Sequence, residues 1–171
     1  MSELSEYRDR RDEFFRHSPQ SPLPAGARHG FTGLDYYPEN PDLAFVLAVA
    51  DDVTGEVVIP TTTGEERTYR RAGRVRFTVD GELAELTLYD TGHPGYFVPF
   101  RDATSGGETY GAGRYLDVAP GTDGTVTIDF NYAYNPFCVY DDAYSCPLPP
   151  VENRLVVPIR AGEKTYRPGR G

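Results

Sequence analysis

RVRFTVDGELAELTLY, residues 74–89, is the stretch that decides the fold. Val75, Phe77 and Val79 alternate with Arg74, Arg76 and Thr78, the period-two pattern of a strand with one buried face. Asp80-Gly81 then turns the chain into a second strand, Leu83–Tyr89. An Asp-Gly pair between alternating strands is the strongest short hairpin signal, because both turn residues must take positive φ. The chain therefore contains an antiparallel hairpin with an apolar side to bury.

The same reading extends outward in both directions. Upstream, Phe45, Leu47 and Val49 alternate, and Val57-Val58-Ile59 follows a Thr54-Gly55 turn. Downstream, strands are predicted at 96–101, 113–118, 125–132 and 154–160. The total is eight or nine short antiparallel strands, a mainly β domain. Short hairpin connections favour a barrel-like closure, with a β-sandwich as the alternative. Residues 3–16 predict one N-terminal helix, capped by Ser2, stopped at Ser18-Pro19 and laid across the sheet. The expected organisation is a single domain over 1–171. It runs as a helix within 1–17, a wrapping extended segment at 18–42, the β domain at 43–160 and a C-terminal tail at 161–171.

Composition agrees with a β fold and excludes several functions. Thirteen tyrosines and nine phenylalanines favour pleated surfaces, and 33 glycines and prolines favour frequent turns. Acidic residues outnumber basic ones by 26 to 17, and Lys164 is the only lysine. A net charge of −9 excludes binding along a nucleic-acid backbone or an anionic membrane surface. It fits an acidic surface adapted to a high-salt cytoplasm, where screening relieves self-repulsion. No stretch approaches the length of an apolar span, and the charged N-terminus lacks a signal-peptide core. The expected location is cytoplasmic, with reduced cysteines.

Four stretches carry a resemblance. They are Phe31-x-Gly33-Leu34 with Tyr36-Tyr37-Pro38; Phe100-Arg101-Asp102-Ala103-Thr104-Ser105-Gly106-Gly107-Glu108-Thr109-Tyr110; Gly113-Arg114-Tyr115-Leu116-Asp117; and the run from Asp129 to Arg154. The last includes Asn135-Pro136-Phe137-Cys138 and Cys146-Pro147-Leu148-Pro149-Pro150. Together they resemble the bacterial and archaeal family called domain of unknown function 1684. The resemblance implies membership and brings no activity with it.

Chemistry-bearing residues concentrate in two segments, 101–114 and 131–160. Cys138 and Cys146 stand too far apart for the usual zinc pairing, and His17, His29 and His93 add no ligand pattern, so no metal is expected. The thiols read as small buried anchors of their loop. A redox pair would need nearby cations, and the local sequence offers Asp141-Asp142 instead. Ser105-Gly106-Gly107 runs into a strand, unlike a phosphate-binding loop, and Glu108 is expected to pair with Arg101 or Arg114. Asp129 and Asn131 share a strand face opposite Ile128 and Phe130, and Tyr132, Tyr134, Tyr140 and Tyr144 offer ring-lined walls.

These residues support three alternatives. The first is a domain binding a small polar or anionic molecule at the barrel mouth through Arg101, Glu108, Arg114, Asn131, Asn135 and Asn153. The second is a small hydrolase- or isomerase-like enzyme with Asp102 or Glu108 as acid or base. The third is a structural or protein-interaction module. Cofactor identity and oligomeric state are open, a homodimer included. The Asn131–Arg160 run is expected to be a proline-braced clasp facing 101–114.

Overall fold

The computed structural model describes residues 2–167. Among the described residues seven strands form two antiparallel sheets: β1 (Ala44–Ala48), β2 (Glu56–Pro60), β3 (Glu66–Val79), β4 (Glu82–Asp90), β5 (Tyr96–Phe100), β6 (Arg114–Val118) and β7 (Thr125–Asp129). Five of them run in the order β2-β3-β4-β5-β6, while β1 pairs with β7. The decisive hairpin is present as read, with Val75 opposite Leu86 and Phe77 opposite Ala84. Asp80 (φ 50°) and Gly81 (φ 81°) make the turn.

The expected barrel does not close. β7 takes β1 as its partner instead of β6, so the strands divide into two antiparallel sheets. They meet where Ala50 and Arg74 exchange backbone hydrogen bonds of 2.8 and 2.9 Å. Gly73 permits that approach: a Cβ there would lie 2.4 Å from Val49 Cγ1. The core between the sheets holds Val75, Phe77, Leu86, Leu88, Val98, Phe100, Leu116, Ile128 and Phe130. Each such buried large side chain contributes roughly 1.5–3 kcal/mol.

Two expected strands change character. The 125–132 strand stops at Asp129, whose carboxylate accepts Asn131 N–H at 3.0 Å and starts a 3-10 turn over Phe130–Tyr132. Residues 154–160 bury Leu155, Val157 and Ile159 alternately, which explains the strand reading. Yet Pro158 has no N–H, and Ile159 N–H goes to the Asp102 carboxylate at 2.7 Å instead of a neighbouring backbone. Backbone pairing there is limited to a bridge between Arg101 and Arg154, Leu155 N–H to Arg101 O, Ala103 N–H to Val157 O, and Arg154 N–H turned back to Val151 O.

Helix α1 (Glu3–His17) follows its reading, with Ser2 Oγ accepting Ser5 N–H at 3.1 Å. A four-residue helix α2 (Ala25–Arg28) follows in the extended segment. Helix α1 drives Phe15 into a second cluster with Leu23, Phe31, Leu34 and Tyr140. Residues 161–163 are buried, and Tyr36 and Tyr37 pair with Glu163 and Gly162. Of the predicted tail, residues 168–171 lie outside the described residues. Among the described residues no helix is long and apolar enough to cross a membrane.

Candidate functional site

Asp102, Arg114, Asn131, Asn135 and Asn153 fall into separate buried knots, whereas Arg101 is half-buried and Glu108 exposed. Arg114 is fully buried. Its guanidinium donates to the carbonyls of Ile159 (2.8 Å), Ala161 and Glu163 (3.1 Å), and reaches Asp102 Oδ1 at 3.4 Å. Burial pulls its pKa down, with Asp102 opposing. Asp102 also accepts Thr104 N–H, Thr104 Oγ1 at 2.8 Å and Ile159 N–H, so its oxygens are saturated by the fold.

Asn131 and Asn153 repeat one device. Each side-chain amide faces a backbone residue as a strand partner would, giving one hydrogen bond and accepting another. Asn131 serves Asn40 (2.8 and 2.9 Å) and Asn153 serves Thr87 (2.8 and 3.0 Å). Asn153 Nδ2 also reaches Pro99 O at 2.9 Å, spanning the gap between β4 and β5. That gap exists because these strands share a single paired position, Tyr89 opposite Phe97. Arg101 is tied to the same region through its backbone, by N–H to Asn153 O at 3.1 Å.

Asn135 joins a third knot around Glu163, a residue the sequence reading passed over. Glu163 is 1% exposed and holds Arg11 Nε at 2.7 Å. It also accepts Asn135 N–H and Tyr140 O–H, both at 3.1 Å. Burial pushes its carboxyl up, and Arg11 only partly opposes that. No local signal marked it, since Glu163 stands between Arg160 and Lys164 as a solvated acid would. Glu108 pairs with neither Arg101 nor Arg114. It is exposed, takes Arg160 through Nε at 3.1 Å and Tyr37 O–H at 2.7 Å, and Arg160 holds its carboxyl low.

None of these six proposed binding residues lines a ring-walled cleft of about 440 Å³ on the outer face of the five-stranded sheet. Since Val98, Phe100 and Leu116 face the core, Phe97, Tyr115 and Asp117 must face away from it. Tyr69 joins them from β3, with ring centroids at 5.8 Å for Tyr69–Phe97 and 4.8 Å for Phe97–Tyr115. The opposite wall is the clasp: Tyr134, Pro136, Phe137, Tyr144, Ser145, Cys146 and Pro147. It is fixed at both ends. Tyr134 exchanges backbone hydrogen bonds with Tyr115 at 2.9 and 3.0 Å, and Tyr115 O–H donates to Pro147 O.

Tyr134 and Tyr144 thus line this cleft, away from Arg101, Glu108 and Arg114, beside which a pocket was expected. Tyr132 instead packs on Tyr7 of α1 at 4.8 Å, and Tyr140 packs on Phe15 at 4.8 Å. Tyr69, Phe97, Tyr115 and Asp117 were not anticipated. Their signal was a row of rings on the polar-facing positions of three strands. Tyr134 O–H donates to Asp117 at 2.8 Å, and Arg67 donates to Ser145 O at 2.9 Å. Ser145 Oγ is buried with no hydrogen-bond partner among the described residues. No three His, Cys, Asp or Glu side chains converge as a metal set among the described residues.

Fold and cleft define a two-sheet antiparallel β protein whose ring-lined cleft is closed by a proline-braced clasp. The chain belongs to the family described as "Protein of unknown function (DUF1684)", whose model matches residues 29–164. It is similar to the uncharacterized protein from gene locus rrnAC0354 of Haloarcula marismortui, known from a solution NMR structure. The two are 37% identical with a TM-score of 0.73, over 95% of this chain and 92% of that one. No curated protein matches.

Proposed function

We propose that the protein binds a small polar molecule carrying a flat ring, seated between the outer sheet face and the clasp. The observation that carries this reading is the cleft of about 440 Å³ walled by Tyr69, Phe97, Tyr134 and Tyr144. Ring faces at such spacing favour stacking, and the volume suits a ligand of modest size. Two polar features give the ligand a direction. Ser145 Oγ is a buried hydroxyl awaiting a partner, and Arg67 brings a guanidinium suited to an anionic group. The saturated carboxylate of Asp102 and the arginine-paired Glu108 give the acid–base alternative less support. On this reading Arg114, Asn131, Asn135 and Asn153 hold the architecture that shapes the cleft.

The surroundings we infer are a salt-rich cytoplasm, supported by the excess of 26 acidic over 17 basic residues. Unfolding midpoints should then fall as salt is lowered to millimolar levels; an unchanged midpoint would remove that inference.

Ligand-observed NMR with a library of ring-bearing acids and neutral ring compounds tests the binding proposal. Binders should be found, and Phe97→Ala should weaken them by about tenfold, the loss of one stacking face. A library without binders, or binding undiminished by Phe97→Ala, would end the reading.

A further inference from the structure

The two thiols are adjacent, although the sequence places seven residues between them. Cys138 N–H donates to Cys146 Sγ at 3.3 Å, and the Tyr110 hydroxyl lies 3.7 Å from Cys138 Sγ. Cys146 is 7% exposed and pinned through its backbone to Thr62, by Thr62 N–H to Cys146 O at 3.0 Å and Cys146 N–H to Thr62 Oγ1 at 3.1 Å. Cys138 is partly exposed. One sulfur is therefore reachable and the other is fixed beside it.

We propose that Cys138 and Cys146 form a reactive dithiol that exchanges with small-molecule disulfides, Cys138 attacking and Cys146 resolving. The Cys138 thiolate attacks one sulfur of the disulfide RSSR, forming a Cys138–SR bond and releasing RS⁻. Cys146 then gives up its proton to RS⁻ or water and attacks the Cys138 sulfur. This forms the Cys138–Cys146 bond and expels the second RS⁻. In sum, two protein thiols are oxidised to one disulfide and RSSR is reduced to two RSH.

The surroundings favour that division of roles. The Cys146 thiol, with the Tyr110 and Thr62 hydroxyls, stabilises negative charge on Cys138 and lowers its pKa against the effect of burial. Cys146 is pushed up by its Cys138 partner and by burial, so the pair retains one proton, with Arg67 partly opposing. Asp141 and Asp142, which argued against reactivity in the sequence, are not among the largest influences on either sulfur. The exchange needs no cleft ligand. Its product would nevertheless lock the loop carrying Tyr144 and Ser145, so oxidation would fix one cleft wall.

The test uses the full reduced chain and oxidised glutathione, followed by intact mass after alkylation at pH 7. Wild type should lose both free thiols, and Cys146→Ser should accumulate one glutathionyl adduct on Cys138. Cys138→Ser should react at least about tenfold more slowly than Cys146→Ser, following the difference in thiolate fraction. Folding of each variant is checked by circular dichroism. A second measurement needs no variant: Cys138 in the native chain should be alkylated about tenfold faster than in the urea-unfolded chain. Equal rates in the native and unfolded chain, or faster reaction at Cys146, would overturn the proposal.

Discussion

The β3–β4 hairpin and the run from Asp129 to Glu163 enclose the same core by opposite means. In the hairpin, backbone pairs with backbone over nine registered positions, and side chains are left to pack. In the run, short backbone turns and single crossings alternate with buried backbone groups held by side chains: Ile159 N–H by the Asp102 carboxylate, the carbonyls of Ile159, Ala161 and Glu163 by the Arg114 guanidinium, and Asn135 N–H by Glu163. A ladder distributes its energy over many equivalent bonds, whereas the run concentrates it in a few polar side chains. Single substitutions should therefore be far more damaging in the run's network than in the hairpin.

The largest effect should come from Arg114→Ala, which strands three buried carbonyls and leaves Asp102 unpaired. A loss of about 3–5 kcal/mol is expected, read from the urea midpoint with unchanged slope. Asn153→Ala follows at roughly 2–3 kcal/mol, since it removes three buried hydrogen bonds and replaces none. Should either variant unfold like wild type, side-chain satisfaction is not what holds the run. Gly81→Ala in the hairpin turn should cost roughly 1–2 kcal/mol because Ala resists positive φ.

A pH titration sharpens the comparison from within the run. Glu163 has its carboxyl raised by burial, so the folded state binds the proton more readily than the unfolded chain. Stability should fall as pH rises from the ordinary glutamate value of about 4.3 to the raised native value, then level off. Glu163→Gln should flatten that slope. A slope that survives the substitution belongs to another group. The smallest effect is expected for Arg76→Ala in the hairpin, whose ion pairs with Asp52 and Glu85 are solvent-exposed. Its unfolding midpoint should stay within experimental scatter of wild type.

What the sequence made legible follows the same division. Alternation and Asp-Gly announce a hairpin because the signal is local, and Ser2 and Ser18 bracket α1 for the same reason. That the strands form two sheets instead of a closed barrel was not legible, since the choice of β1 over β6 as partner of β7 leaves no local mark. Alternating Leu155, Val157 and Ile159 imitated a strand, because burial on one side gives that pattern whether the backbone pairs with a strand or with Asp102. The polar residues between 101 and 153 were visible as unusual. Their direction was not: amides and guanidinium groups suited to a ligand suit an interior backbone equally well. The cleft was half visible, through Tyr134 and Tyr144, because its other half comes from strands distant in sequence.

The Asn153 amide also orders events in time. Ribosomes deliver β4 and β5 well before residue 153, which lies 66 positions beyond Thr87 and 54 beyond Pro99. Until that side chain emerges, two neighbouring strands share one pairing and an open seam. The sheet is thus fastened from its late end, and a nascent chain halted before Asn153 should stay sensitive to protease across the β4–β5 seam.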